Sequence, residues 1–177
     1  MTLDARNHMD LSEGSRDYGA GPKALGFRAE TSAVNWAVVE GSAEVPILTA
    51  ADQAAAPATY DDPAALAWFR EHVRHLIATY SPQVVAIRCP ETVMRAAALS
   101  SMYKRCRVEG VIMETAHSCG VAVVTGPLAT ISKNLGTKSA KKYLETDDLR
   151  GLNWSKYPRK CREAILVAAS ALPPVDH

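Results

Sequence analysis

The stretch that decides the fold class is residues 24–50, which read ALGFRAETSAVNWAVVEGSAEVPILTA. Three apolar segments in this stretch have the length and residue types of strands, and they span residues 24–29, 33–40 and 45–50. The connections between them are only a few residues long, and connections this short join antiparallel neighbours. We therefore predict a three-stranded antiparallel meander.

Helical and strand patterns alternate after the meander. Asp61, Asp62 and Pro63 are typical of a helix start, and apolar residues at spacings of three and four then continue to about Tyr80. The other predicted elements are buried strands at 84–87 and 121–124 and helices at about 92–118, 138–146 and 158–172. This order predicts an α/β fold: a mixed sheet, with three antiparallel strands and then parallel strands, flanked by helices.

The composition indicates a folded protein. The chain has 177 residues, 47% hydrophobic and 22% charged, with a formal net charge of +1, which excludes a fully disordered chain and a coiled-coil rod. No apolar run approaches the ~20 residues that span a bilayer, and the first residues lack the apolar segment of a secretory signal. We expect a cytoplasmic protein with a disordered tail at 1–23, a single domain at 24–174 and no membrane partner.

Charge is distributed unevenly along the chain. Residues 1–90 carry 7 basic and 11 acidic side chains, a net charge of −4, whereas residues 91–177 carry 13 and 8, a net charge of +5. A basic half can supply a phosphate-binding surface even when the total charge is near zero. The alternative is a set of solvated helix surfaces without a binding role.

Short motifs along the chain resemble, in the right order, those of the RuvC-type Holliday-junction resolvases, which belong to the ribonuclease H-like superfamily. The opening segments Gly26-Phe27-Arg28 and Trp36-Ala37-Val38-Val39 are similar to the first hairpin of that family. The other similar segments are Pro82–Arg88, Arg107–Val111, Gly120–Val124 with Pro127 and Lys133, Gly136–Lys138 with Lys141, and Glu163–Ala168. The resemblance covers about residues 25–172 and implies a ribonuclease H-like fold.

The resemblance also implies where a nuclease site would lie. These nucleases hold two divalent metal ions with carboxylates, and the four carboxylate positions correspond here to Arg28, Arg88, Lys160 and Glu163. Three of the four are cationic and would repel Mg²⁺, so we expect these positions to be degenerate, with no catalytic residues. The four cysteines lack the spacing of a zinc site, so neither a metal nor a cofactor is expected.

Three arrangements of this altered site are compatible with the sequence. In the first, Glu163 bridges the guanidinium groups of Arg28 and Arg88 in an internal ion pair, and the site is structural. In the second, the two arginines form a pocket for a phosphate anion. In the third, Glu30 and Glu91 join Glu163 in a displaced carboxylate trio that holds a metal.

Basic residues of the second half extend the candidate nucleic-acid surface. The residues expected to bind nucleic acid are Arg28, Arg88, Arg105, Arg107, Lys133, Lys138, Lys141 and Lys142. The expected partners are nucleic acid, with DNA favoured over RNA, and a second copy or a protein complex. We predict a catalytically inactive RuvC-like protein that binds nucleic acid or is a structural subunit of a nucleic-acid-handling complex. The alternatives are a protein-interaction or homodimeric scaffold and a divergent metal-dependent nuclease.

Overall fold

A five-stranded mixed sheet forms the centre of the computed structural model, which describes residues 21–91 and 99–175. The strands are β1 (Lys23–Ala29), β2 (Ala33–Gly41), β3 (Pro46–Ala55), β4 (Val84–Arg88) and β5 (Ala122–Gly126). Their spatial order is β3-β2-β1-β4-β5, with β1, β2 and β3 antiparallel and with β4 and β5 parallel to β1. The predicted fold class is confirmed.

Helices cover both faces of this sheet. They are α1 (Asp62–Tyr80), α2 (Leu99–Ser118), α3 (Leu128–Asn134), a 3₁₀ helix (Ala140–Glu145) and α4 (Arg159–Ser170). The first two pack on one face, and the other three pack on the opposite face. None of the helices in the described residues has both the length and the apolar composition needed to cross a membrane.

Local sequence explains the first and last helices. The Asp61 side chain caps α1 by accepting a hydrogen bond from the backbone N–H of Ala64 at 3.0 Å, and α1 buries Phe69 and Val73 against the sheet. In α4 every residue from Glu163 to Ser170 is buried, because this helix lies between the sheet and the 3₁₀ helix with its neighbours. A helix that is enclosed on all sides is apolar almost all round.

Gly26 lets α4 approach β1 closely. Side chains alternate along β1, so that Leu25 and Phe27 join the core under α1 and α2 whereas Ala24 joins the core under α4. A Cβ atom at Gly26 would lie 2.1 Å from the carbonyl oxygen of Ala164 on α4. Only glycine fits here, and the close contact places the end of β1 directly beside the first turns of α4.

Two elements differ from their predictions, one in its burial and the other in its type of helix. The strand predicted at 121–124 is β5, but it is an edge strand rather than a buried one, and Val124 is 41% exposed. The helix predicted at 138–146 is a 3₁₀ helix over Ala140–Glu145. It follows Gly136 (φ +61°), which ends the preceding turn, and its six residues make it longer than most 3₁₀ helices.

Other differences concern boundaries and short elements. Lys23 belongs to β1, so the predicted tail at 1–23 is wrong at its last residue, and residues 1–20 lie outside the described residues. The first part of the helix predicted at 92–118, residues 92–98, also lies outside them. Helix α3 and a hairpin of β6 (Asp148–Leu149) with β7 (Leu152–Asn153) were not predicted, because they are too short to show a hydrophobic period.

Candidate functional site

Arg28, Arg88 and Glu163 meet at the carboxyl end of the central strands. The two arginines follow the paired residues Phe27 and Ile87 of the adjacent parallel strands β1 and β4. Glu163 of α4 accepts a hydrogen bond from Arg28 Nε at 2.9 Å, and the same carboxylate oxygen lies 3.4 Å from Arg88 Nε. Glu163 thus bridges the two guanidinium groups, as the first of the three predicted arrangements requires.

The Arg88 guanidinium is enclosed by the protein. Only 6% of this residue is exposed. Its Nη1 donates to the carbonyl oxygen of Cys89, and its Nη2 donates to Glu91 Oε1 at 2.9 Å. Glu91 Oε1 also accepts from the backbone N–H of Leu128 at 3.0 Å. Arg88 therefore joins β4, α4 and the start of α3, and it is not available as a surface cation.

A third guanidinium reaches the same strand end from α2. Arg105 Nε donates to Glu109 Oε1 at 2.7 Å, and Arg105 Nη2 donates to the carbonyl oxygen of Arg88 at 2.6 Å. Burial raises the pKa of Glu109, although the charge of Arg105 opposes this effect. Burial also lowers the pKa of Arg105, and the positive charge of Arg28 acts in the same direction. The arginine is still a cation at neutral pH.

Lys160 of α4 pairs with Glu30, which follows β1. Glu30 Oε1 also accepts hydrogen bonds from Asn35 Nδ2 at 2.8 Å and Gln53 Nε2 at 3.0 Å. Burial acts to raise the pKa of Glu30, but the hydrogen bonds from Lys160, Asn35 and Gln53 outweigh it and hold that pKa below its usual value. Glu30 is therefore a carboxylate at neutral pH.

The site as a whole is charge-balanced, but the cavity it surrounds is cationic. The four cations Arg28, Arg88, Arg105 and Lys160 are matched by the four carboxylates Glu30, Glu91, Glu109 and Glu163. An open cavity of about 360 Å³ is lined by Arg28, Glu30, Thr31, Pro90, Ser101, Met102, Arg105 and Lys160. Three cations and one carboxylate thus line the cavity, and Glu91, Glu109 and Glu163 are not part of its lining.

This arrangement does not fit a divalent metal ion. Glu163, the one carboxylate among the four positions that the resemblance implies, is already bound by two guanidiniums, and an added cation would be repelled by both. Glu30, Glu91 and Glu163 each have a cation partner, Lys160 for the first and Arg88 for the other two, and they do not form a metal-binding trio. Within residues 21–91 and 99–175, no group of three or more His, Cys, Asp or Glu side chains could hold a metal.

The other predicted binding residues lie in two separate places. Arg107 is not at the site: it points toward α1, where its Nη1 donates to Asp62 at 3.1 Å. Lys133, Lys138, Lys141 and Lys142, which we call the lysine surface, are exposed, and none of them forms an ion pair with a described residue. A second cavity of about 450 Å³ is lined by Lys138 and Lys141 of this surface together with Glu91, Leu128, Ala129, Ser132 and Ser139.

Glu109 belongs to the site although its sequence position does not predict it. The signal was present, because Arg105 and Glu109 are four residues apart on one helix, where oppositely charged side chains commonly pair. What the spacing alone does not indicate is burial: Glu109 is only 6% exposed. A buried carboxylate this close to three arginines is part of the site rather than of the helix surface.

Comparison with solved structures identifies the fold. A Thermus thermophilus RuvC structure has a TM-score of 0.69 at 17% identity, over 84% of this chain and 92% of that one. T. thermophilus RuvC in complex with a Holliday junction substrate has a TM-score of 0.67 at 14% identity, over 84% and 91%. The yeast mitochondrial Holliday junction resolvase has a TM-score of 0.53 at 7% identity, over 84% and 78%.

Sequence comparison adds nothing to this result. No protein-family model matches the chain, and no curated protein matches it significantly. The structural likeness extends over 84% of this chain. The chain has the fold of the RuvC-type Holliday junction resolvases.

Proposed function

We propose that this protein binds the phosphate backbone of nucleic acid, with DNA favoured over RNA. We further propose that it does not cleave the bound nucleic acid by two-metal catalysis. The observation that carries this proposal is the cationic cavity formed by Arg28, Arg105 and Lys160. It lies where the resemblance to RuvC-type resolvases puts metal-binding carboxylates. A structurally similar RuvC was solved in complex with a Holliday junction substrate, which supports a nucleic-acid ligand for the same fold.

The donors of the cavity suit a phosphate group. Arg28 and Arg105 each use Nε and one terminal nitrogen for internal hydrogen bonds. The other terminal nitrogen of each makes no hydrogen bond to a described residue, so it is available to a phosphate oxygen. Lys160, with half of its side chain exposed, adds a third donor at the rim.

The lysine surface extends this binding region. Glu91 contacts both Arg88 and the backbone N–H of Leu128, and it lines the second cavity together with Lys138 and Lys141. Pro90 lines the first cavity and its chain neighbour Glu91 lines the second, so the two cavities adjoin. A nucleic-acid backbone that enters the first cavity can reach the lysines across this boundary, and each phosphate that it places near a lysine releases counterions.

One observation favours the alternative of a protein-interaction scaffold. Each cation of the site already has a carboxylate partner within the chain. An internally neutralised network can hold β1, β4, α2 and α4 together without any ligand. The two functions differ in their dependence on salt, because backbone binding weakens steeply as salt rises and a neutral protein interface does not.

Binding of labelled duplex, single-stranded and four-way-junction DNA and of RNA, across a salt series with and without Mg²⁺, tests the proposed function. We expect salt-sensitive binding without cleavage, and a log–log salt slope that falls by ~0.9 for each phosphate contact removed in Lys138→Gln or Lys160→Gln. Arg74→Gln is the matched control, because Arg74 is exposed on α1 and lines neither cavity. No binding at low salt would favour the scaffold, and Mg²⁺-dependent cutting would establish a divergent nuclease.

A further inference from the structure

We propose that Glu109 is a positioning residue that holds the Arg105 guanidinium in the orientation needed to bind a phosphate in the first cavity. This inference rests on the proposed function, because it concerns how the same site holds its ligand. It assigns a role to a buried carboxylate that occupies none of the four positions derived from the RuvC-type family.

The geometry is a two-point clamp on one guanidinium. Glu109 Oε1 accepts from Arg105 Nε at 2.7 Å, and the carbonyl oxygen of Arg88 accepts from Arg105 Nη2 at 2.6 Å. Two contacts on different nitrogens fix both the position and the plane of a rigid guanidinium group. The remaining terminal nitrogen, Nη1, then has a defined direction, and the arginine lines the cavity beside Arg28 and Lys160.

The Arg105–Glu109 ion pair is buried, and the desolvation of its two charges offsets much of the stability that the pair could provide. Arg105 and Glu109 side chains are 13% and 8% exposed, and Glu109 lies between Val108 and Ile112 on α2, both of which are buried in the core. Buried ion pairs are often no more stabilising than apolar side chains of the same size. The pair therefore contributes mainly to the orientation of Arg105.

The surroundings of Glu109 make this positioning sensitive to pH. The charged or titratable groups that influence it are Arg105 on its own helix, Arg28 on β1, and Arg88 with Cys89 at the end of β4. Burial raises the pKa of Glu109 despite the three arginines. Acidification thus neutralises Glu109 before an exposed glutamate, and Arg105 then loses the charge-assisted hydrogen bond to its Nε.

The experiment measures the Kd of the wild-type chain for labelled duplex DNA at constant ionic strength over roughly pH 5 to 8. It is repeated with Glu109→Gln, Arg105→Gln and the double variant, and thermal unfolding shows that each is folded. Glu114→Gln, on the exposed side of the same helix, is the matched control.

We expect Glu109→Gln to weaken binding about tenfold at neutral pH, since one charge-assisted contact is misplaced. The affinity of the wild-type chain for DNA should fall on acidification, because Glu109 becomes neutral. The affinity of Glu109→Gln should not show this fall. In the Arg105→Gln background the Glu109→Gln change should have no further effect, because there is no guanidinium left to orient.

Two results would overturn the inference and leave the proposed function standing. One is DNA binding by Glu109→Gln with the wild-type affinity and pH profile, and the other is strictly additive losses in the double variant. If the wild-type chain does not bind DNA at low salt, the proposed function fails and the positioning role fails with it.

Discussion

The arginine site and the lysine surface are both basic, but they differ in almost every physical respect. Arg28, Arg88 and Arg105 are largely buried, each in contact with a carboxylate, and they join strands β1 and β4 to helices α2 and α4. The lysine surface is exposed and is free of ion pairs with described residues. The basic residues that the sequence predicts to bind nucleic acid therefore combine two kinds of charge, buried arginines in ion pairs and exposed lysines.

The difference in burial predicts how the arginine site and the lysine surface respond to substitution. A buried cation that loses its carboxylate is left desolvated and unpaired, which costs several kcal/mol. An exposed lysine costs little to remove, and its contribution appears only when a polyanion binds. Stability measurements should therefore report on the arginine site, whereas salt-dependent affinity should report on the lysine surface.

The largest expected effect comes from Glu163→Ala. It removes the carboxylate shared by Arg28 and Arg88, so we expect the free energy of unfolding to fall by about 3–5 kcal/mol. Urea denaturation followed by circular dichroism measures this change. Glu145→Ala, at an exposed glutamate outside the network, should change stability by less than about 0.5 kcal/mol. Equal small effects at both positions would mean that the buried pair is not a structural element.

A smaller loss is expected for Gly26→Ala. The added methyl group would lie 2.1 Å from the Ala164 carbonyl oxygen, so α4 must shift away from β1. Overpacking of this kind costs about 1–3 kcal/mol. Because the shift also separates Arg28 from Glu163, a double-mutant cycle of Gly26→Ala with Glu163→Ala should be non-additive. Additive losses would show that the close approach does not support the ion pair.

Substitutions in the lysine surface should leave stability almost unchanged. For Lys138→Gln combined with Lys141→Gln, we expect a change in the free energy of unfolding within about 0.5 kcal/mol. DNA affinity should fall several-fold at low salt, and the difference from wild type should shrink as salt rises. The measurements are urea denaturation and fluorescence anisotropy on the same preparations. Loss of affinity that persists at high salt would contradict a purely electrostatic role.

The smallest effect should appear in the pH dependence of stability. Burial raises the pKa of Glu109 above its usual value of 4.5, so the folded state holds that proton more tightly than the unfolded state. The stabilisation it gives is present below pH 4.5 and is lost as the pH rises through the folded-state pKa. The free energy of unfolding of wild type, relative to that of Glu109→Gln, should therefore decline as the pH rises from 4.5 through the folded-state pKa. Urea denaturation at a series of pH values measures this, and a difference that does not change with pH would contradict the prediction.

The resemblance to RuvC-type resolvases explains why the central part of the site could be predicted, because it implied Arg28, Arg88 and Glu163 as neighbours. Because side chains alternate along β1 and β4, positions 28 and 88 face the same helix once the two strands are parallel neighbours. Glu163 on α4 completes the set. Its ion pair with the two arginines is the first of the three arrangements that the sequence left open.

The rest of the site depends on contacts that a linear pattern does not contain. The Arg105–Glu109 spacing fits an ordinary surface pair equally well, and its burial follows from how α2 passes over the end of β4. The resemblance implied Lys160 as a site position, but it did not pair this lysine with Glu30, which directly follows β1. The exposure of β5 likewise follows from its place at the sheet edge, which strand hydrophobicity does not reveal.

The charge balance of the site constrains how its residues can change over evolutionary time. An aspartate at position 28 alone would put a second carboxylate beside Glu163 and remove one of its two guanidinium partners, and an acid at position 88 alone would also release Glu91. Replacing the arginines by a metal-binding set of carboxylates would therefore pass through less stable chains unless several positions change together. The buried network couples these positions, so that their charges can be exchanged only as a set.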